Sequence, residues 1–278
     1  MIKSSIQLKA KVRNISKGDD KVAQAIIRLY FMERFLERVS LSKYKDQFVL
    51  KGGMLISSLL GINLRATMDI DTTVKALPLT KEDVQRIITE ISEIPLEDNI
   101  IFQVTGVDTI MEDFDYPGIR VHLEGLLEKL RQPVKIDVST DDVITPSAVE
   151  YKYPLIFEKR EISLNTYNVE TLLAEKSQTI INRGLANTRM RDFYDLYEIV
   201  QRMNFSWETY KAAFQATCKR RETIFTREKV EKELENLSSS KEMEKSWISF
   251  KSKNYFVDDI EYANLIRCIF QTIMKIYE

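Results

Sequence analysis

The sequence predicts an α+β protein in which a mixed-sheet half, residues 1–166, precedes an all-helical half, residues 167–278. Short strand-like segments are concentrated between residues 48 and 167. From Val169 onward, apolar residues recur with helical periodicity. Hydrophobic residues make up 44% and charged residues 30% of the 278 residues, which is ordinary for a globular protein with a sizeable core.

The N-terminal elements follow from spacing and capping signals. Apolar residues at helical spacing predict a long helix from Asp20 to Ser40. A short strand, a short helix and a second strand are expected over Phe48–Leu50, Met54–Leu60 and Met68–Val74. Thr80 is expected to cap a further helix that runs to Glu93 and that Pro95 ends.

The remaining elements divide into strands and then helices. Four prolines break the strand region, and the predicted strands are Ile101–Val104, Gly118–Leu126, Val134–Ser139, Tyr151–Phe157 and Arg160–Tyr167. The helical half is expected to contain five helices, Val169–Arg183, Arg189–Met203, Trp207–Arg220, Arg227–Leu237 and Asp258–Tyr277, with a loop at serines 238–240.

Composition excludes several classes of protein. Lys and Arg, 41 together, nearly cancel 42 Asp and Glu, so bulk charge gives no attraction to nucleic acid. Cys218 and Cys268 are too few for a disulfide framework or a zinc site. The chain shows no signal-peptide pattern and no apolar run long enough to span a bilayer, so we expect a cytoplasmic protein without membrane contact.

A double glycine followed by two aspartates is the most informative pattern in the chain. If Met68–Val74 is a strand, Asp69 and Asp71 project from the same face of it. Two adjacent carboxylates repel each other unless a cation lies between them, and Mg²⁺ prefers oxygen ligands. Gly52 and Gly53 precede a predicted helix and allow backbone to approach a phosphate. The pattern therefore predicts a site for a metal-bound nucleoside triphosphate.

A two-metal transfer site normally uses a third carboxylate on a neighbouring strand. Asp137 is the best candidate, because it interrupts an otherwise apolar strand where an unpaired carboxylate is expensive to bury. The alternative is an ion pair between Asp137 and Lys135, which shares its face.

Charged residues also share faces of two predicted helices. Lys176 and Arg183 are two helical turns apart and could line a cleft. Asp192 and Asp195 are separated by three positions on the next helix. The alternative for both pairs is a solvated stripe. His122, on a predicted strand and without a second histidine, is expected to be an ordinary sheet residue.

Taken in order, the motifs KGG, RATMDID, VKIDV, LLAEK and RDFYDLY resemble the AbiEii/AbiGii-type toxin nucleotidyltransferases of the DNA polymerase β-like superfamily. The resemblance covers roughly Phe48 to Tyr197. It implies a nucleotidyltransferase core, with the helical domain completing the active-site cleft.

The resemblance also implies roles for individual residues. Triphosphate would be bound by Gly52 and Gly53, with Lys51 and Arg65 as further phosphate contacts, and by Lys176. Mg²⁺ or Mn²⁺ would be bound by Asp69, Asp71 and Asp137, and Asp192 would be the required acidic residue near the site. Thr67 occupies the place of a hydroxyl residue whose phosphorylation is inhibitory. Gly53 replaces the serine that many superfamily members carry.

The function implied is that of a toxin in a toxin–antitoxin or abortive phage infection system. It would transfer a nucleoside monophosphate from an NTP to an RNA acceptor, with the tRNA 3′ end expected. Its antitoxin would be a separate DNA-binding protein. Two alternatives stay open: transfer to a small molecule, and a nucleotide-binding (for example GTP) sensing module without transfer activity.

Overall fold

The computed structural model describes residues 1–61, 67–77, 80–110, 118–140 and 142–278. They form two compact units. The first contains the described residues up to Asp142 together with Val149–Thr166, and the second contains Val143–Ala148 and Tyr167–Glu278.

A seven-stranded mixed sheet organises the first unit, so the predicted α+β class is correct. Its strands are β1 Phe48–Lys51, β2 Ile70–Val74, β3 Ile101–Ile110, β4 Gly118–Leu127, β5 Leu130–Thr140, β6 Val149–Pro154 and β7 Glu161–Thr166. They lie in the order β3-β4-β5-β2-β1-β7-β6. The pairs β2–β5 and β1–β7 are parallel and the other pairs are antiparallel.

The described part of the first unit contains four helices: α1 Ser5–Ser16, α2 Asp20–Leu41, α3 Gly52–Leu60 and α4 Lys81–Ser92. Along β4 and β5, apolar residues alternate with polar ones, so that Val121 and Ile136 are fully buried on one face. The opposite face carries the polar side chains, and this alternation directs the functional residues outward. Thr80 caps α4 as predicted, accepting a hydrogen bond from the backbone N–H of Asp83 at 3.1 Å.

Helix α2 buries charged as well as apolar side chains. Arg38 donates to both carboxylate oxygens of Asp98, at 2.9 and 3.0 Å. Arg160 donates to both carboxylate oxygens of Glu37, at 2.6 and 2.9 Å. Glu33 is only 2% exposed and accepts the backbone N–H of Ile156 at 3.1 and 3.2 Å. Buried charge of this kind is stable only when it is paired or hydrogen-bonded.

The second unit is helical. Its helices are α5 Val169–Arg183, α6 Met190–Arg202, α7 Trp207–Arg220, α8 Arg227–Ser239, α9 Lys241–Lys253 and α10 Tyr262–Met274. Several have side-chain caps at their N-termini; Asn168, for example, accepts the backbone N–H of Thr171 at 2.8 Å. Across the described ranges, no helix combines the length and apolar character that crossing a bilayer requires.

Three sequence expectations differ from the structure. Helices α1 and α9 were not predicted, and the expected loop at serines 238–240 instead holds the end of α8 and the cap of α9. Pro133 was expected to break a strand but lies inside β5, opposite Glu124 of β4. Strand β2 pairs with β5 only from Ile136 onward, so Pro133 faces an open edge that needs no N–H donor.

Candidate active site

A row of charged residues crosses the sheet in register. Lys51 of β1 pairs with Asp71 of β2, Asp71 with Asp137 of β5, and Asp137 with Arg120 of β4. Directly paired residues project from the same face of a sheet, so these four side chains lie side by side. Asp69 precedes β2 by one residue, rather than lying inside a strand as expected. It is nevertheless close enough to contribute to the charge around Asp71 and Arg120.

The glycine turn contacts the second aspartate directly. Gly52 has φ +62°, and a Cβ atom at this position would collide with the carboxylate of Asp71. The backbone N–H of Gly53 donates to Oδ2 of Asp71 at 3.1 Å. Since α3 begins at Gly52, this contact places a negative charge at the N-terminus of the helix, as the helix dipole favours. The turn therefore requires glycine at position 52.

Lys51 is bound to a residue that the sequence analysis missed. Its ammonium forms an ion pair with Asp142, and the hydroxyl of Ser139 donates to the same carboxylate at 2.7 Å. Asp142 lies just beyond the end of β5, two residues past Thr140, where strand patterns carry no signal for function.

The environment of Asp71 disfavours its ionised form. Burial raises the pKa of Asp71, and the neighbouring carboxylates of Asp137 and Asp69 raise it further. The N–H of Gly53 and the ammonium of Lys51 act in the opposite direction. The result is a pocket of surplus negative charge, which a cation would relieve.

Arg120 is the second residue of this charged cluster that the sequence analysis missed. Its Nε and Nη2 atoms donate to Oδ1 and Oδ2 of Asp137, both at 2.7 Å. Its Nη2 atom also lies 3.9 Å from Oδ2 of Asp69. The hydrogen bond to Asp137, together with the charge of the three aspartates, raises the pKa of Arg120. The expected alternative of an ion pair between Asp137 and Lys135 is wrong, because the guanidinium of Arg120 takes this position.

The donor set is chemically suited to a divalent cation. Asp69, Asp71 and Asp137 offer hard carboxylate oxygens, which Mg²⁺ and Mn²⁺ prefer. Among the described residues, however, no group of three His, Cys, Asp or Glu side chains stands ready to hold a metal. The cation that bridges Asp137 and Asp69 in this structure is the guanidinium of Arg120.

Of two further residues predicted for this region, the structure describes one. Thr67 is 7% exposed, and its hydroxyl donates to the backbone carbonyl of Asp69 at 3.3 Å. Arg65 lies outside the residues that the structure describes.

Lys176 and the acidic residues of α6 belong to the second unit, where they contact each other. Lys176 Nζ lies 2.8 Å from Asp192 and 2.7 Å from Asp195. Asp195 is fully buried, so this cluster is not the solvated stripe that was the alternative. Arg183, at the other end of the predicted face, is exposed at the end of α5. His122 is an ordinary sheet residue and pairs with Asp108 at 2.9 Å.

A model of one known protein family matches most of this chain. The model of the family described as nucleotidyl transferase AbiEii toxin, type IV toxin–antitoxin system, matches residues 34–265. No curated protein matches the chain.

Solved structures share the fold at low sequence identity. JHP933 from Helicobacter pylori superimposes with a TM-score of 0.51 at 15% identity, over 91% of this chain and 92% of that chain. A second H. pylori structure, of a protein provisionally described as a nucleotidyltransferase, gives the same score and identity over 91% and 95% of the two chains.

Proposed function

Because the chain belongs to the AbiEii family of nucleotidyl transferase toxins, we propose that it transfers a nucleoside monophosphate from an NTP to an RNA acceptor, the tRNA 3′ end. Membership makes the protein a nucleotidyltransferase, with an NTP substrate and an antitoxin partner from a type IV system. The metal dependence, the acceptor, the phage-defence role and the individual roles of the site residues are the parts that we propose.

The single observation that supports the proposal most is the row formed by Lys51, Asp71, Asp137 and Arg120 beside the glycine turn. Asp69 and Asp71 would hold the divalent cation, and Asp137 would complete the set and favour deprotonation of the acceptor hydroxyl. When bound, such a cation neutralises phosphate charge and lowers the pKa of a coordinated hydroxyl.

The remaining roles concern phosphate binding. Gly52, Gly53 and Lys51 would contact the triphosphate through backbone N–H groups and a positive charge. We assign Arg65 to the same task on the family pattern alone. Lys176 would neutralise charge on the phosphates, and its pairing with Asp192 would fix the position of the ammonium.

Thr67 is proposed as a regulatory position. A phosphate on its hydroxyl would add about two negative charges next to the backbone of Asp69 and should silence the site. Since this residue is 7% exposed, modification requires the segment that carries it to open first.

The test is transfer of label from α-labelled NTPs to total RNA, with pyrophosphate release measured in parallel. Wild-type protein is expected to label RNA, and Asp69→Asn is expected to lose activity by roughly two orders of magnitude or more. Asp108→Asn is the matched control and should keep transfer activity, because Asp108 lies on strand β3, is 67% exposed and contacts His122 instead of the three aspartates.

The acceptor is identified by separate arms of the same assay. Labelling of tRNA that disappears after periodate oxidation of its 3′ end supports the proposed acceptor, whereas labelling of a candidate antibiotic hydroxyl instead of RNA would replace it. Full activity in Asp69→Asn, or saturable NTP binding without pyrophosphate release, would contradict the assigned chemistry.

A further inference from the structure

The guanidinium of Arg120 occupies the third carboxylate of the proposed metal site. Both oxygens of Asp137 accept hydrogen bonds from it, at 2.7 Å each, in the two-pronged geometry that makes such pairs strong. The 3.9 Å separation from Asp69 places the same positive charge against a second carboxylate of the set.

The position of Arg120 beside Asp137 is set by the pairing of strands β4 and β5. Arg120 is the direct cross-strand partner of Asp137, and Asp137 is the direct partner of Asp71. Both antiparallel and parallel pairing fix these side chains on one face. Arg120 and Asp137 are 30% and 18% exposed, so water screens their interaction only in part.

The net charge of the site indicates how many divalent cations it can bind while Arg120 contacts Asp137. Asp69, Asp71 and Asp137 together with the guanidinium of Arg120 carry two net negative charges, which one divalent cation balances. A second divalent cation at Asp137 would lie against the guanidinium, which donates to both oxygens of this carboxylate, so repulsion between the two positive charges disfavours its binding while Arg120 stays in place.

We propose that Arg120 is a resident cation that competes with a divalent metal ion for Asp137, so that the nucleotide-free protein binds a single metal ion at Asp69 and Asp71. Asp137 then becomes a metal ligand only when Arg120 leaves it. Arg120 is a positioning residue in this scheme, and it lowers the affinity of the site for a second divalent metal ion. The inference rests on the proposed nucleotidyl-transfer site.

The experiment is titration of nucleotide-free protein with Mn²⁺, which reports metal binding independently of catalysis. Wild type is expected to bind one Mn²⁺ per chain. Arg120→Met is expected to bind a second Mn²⁺, or to bind Mn²⁺ about tenfold more tightly, since a neighbouring charge typically alters cation affinity at a carboxylate by this factor or more. Arg120→Lys keeps the charge without the two-pronged contact, and it should fall between the two.

A matched control is available on the same sheet. Arg131 of β5 also forms a cross-strand ion pair, with Glu124 of β4 at 2.7 Å, but it lies away from the aspartates. Arg131→Met should leave Mn²⁺ binding unchanged.

The double variant Arg120→Met/Asp137→Asn provides a second route if Arg120→Met does not fold, because it leaves no unpaired charge at position 137. It keeps the two net negative charges, those of Asp69 and Asp71, so it should bind the single Mn²⁺ with wild-type affinity. The proposal is overturned if Arg120→Met binds neither a second Mn²⁺ nor the first Mn²⁺ more tightly than wild type, or if the double variant loses the single Mn²⁺.

Failure of the proposed function gives a different result. If wild type binds no Mn²⁺ and transfers label without any divalent metal, the metal dependence itself is wrong. If wild type binds Mn²⁺ but Arg120→Met behaves identically, only the role assigned to Arg120 is wrong.

Discussion

Replacing Glu33 by glutamine should abolish a large pH dependence of stability. Glu33 lies on α2 with 2% exposure, and burial raises its pKa from 4.5 to about 8. The N–H of Ile156 and the charge of Arg34 oppose this increase, whereas the carboxylates of Glu158 and Glu37 add to it. Glutamine keeps the carbonyl that accepts the N–H of Ile156 but has no ionised form.

The sign and size follow from proton binding. The folded protein binds the proton of Glu33 more tightly than the unfolded chain does, so the free energy of unfolding falls as pH rises from 4.5 to about 8 and levels off above that. One pKa unit corresponds to about 1.4 kcal/mol, so the full decrease is roughly 5 kcal/mol. Between pH 5.5 and 8.5 the expected decrease is roughly 3 kcal/mol.

The assay is urea unfolding of wild type and Glu33→Gln at several pH values across that window. The stability of the variant relative to wild type should increase with pH, by roughly 3 kcal/mol over the window. Other titrating groups cancel in this difference. Glu37→Gln is the control: it removes a carboxylate that both Nη atoms of Arg160 contact, so it should destabilise the protein. A relative stability that does not change with pH would mean that the folded protein and the unfolded chain bind the proton of Glu33 equally tightly.

Two further predictions concern the proposed site. Gly52→Ala should abolish nucleotidyl transfer in a protein that still folds, because the added Cβ atom collides with the carboxylate of Asp71. Gly18→Ala is the control, because Gly18 also has a positive φ, which costs about 1–2 kcal/mol for alanine, but has open space around it. It should lower the melting temperature without affecting transfer. Lys176→Met should destabilise the protein by about 3–5 kcal/mol in urea unfolding, because it removes the ammonium 2.7 Å from the buried Asp195; a loss below 1 kcal/mol would show that other contacts hold this carboxylate.

The sequence pointed to the candidate carboxylates through a local signal. Alternation along a predicted strand suggested that Asp69 and Asp71 share a face, although Asp69 lies one residue before β2. The parallel pairing of β2 with β5, which brings Asp137 beside Asp71, joins residues far apart in the chain. The sequence suggested that connection only through the chemistry of two-metal sites, which normally use a third carboxylate on a neighbouring strand, and through the resemblance to known enzymes.

Arg120 was missed for the same physical reason. The contact between Arg120 and Asp137 depends on the β4–β5 register. A two-residue turn between Leu127 and Leu130 fixes this register. This turn has no glycine or asparagine to reveal it; Glu128 adopts a φ of +54° and accepts hydrogen bonds from the N–H and hydroxyl of Ser5. A contact from α1 therefore supports a turn that local sequence rules do not identify.

The alternation of side chains along β2 and β5 links the proposed chemistry to correct folding. Ile70 and Ile136 are fully buried partners, one position before Asp71 and Asp137 on the same two strands. A slip of one residue in β2 or β5 would exchange these sets, exposing isoleucine and placing carboxylates in the core. Burial of the isoleucines and alignment of the candidate acidic residues therefore depend on the same register: a chain that packs this core correctly also aligns the aspartates, and a slipped register destabilises the fold.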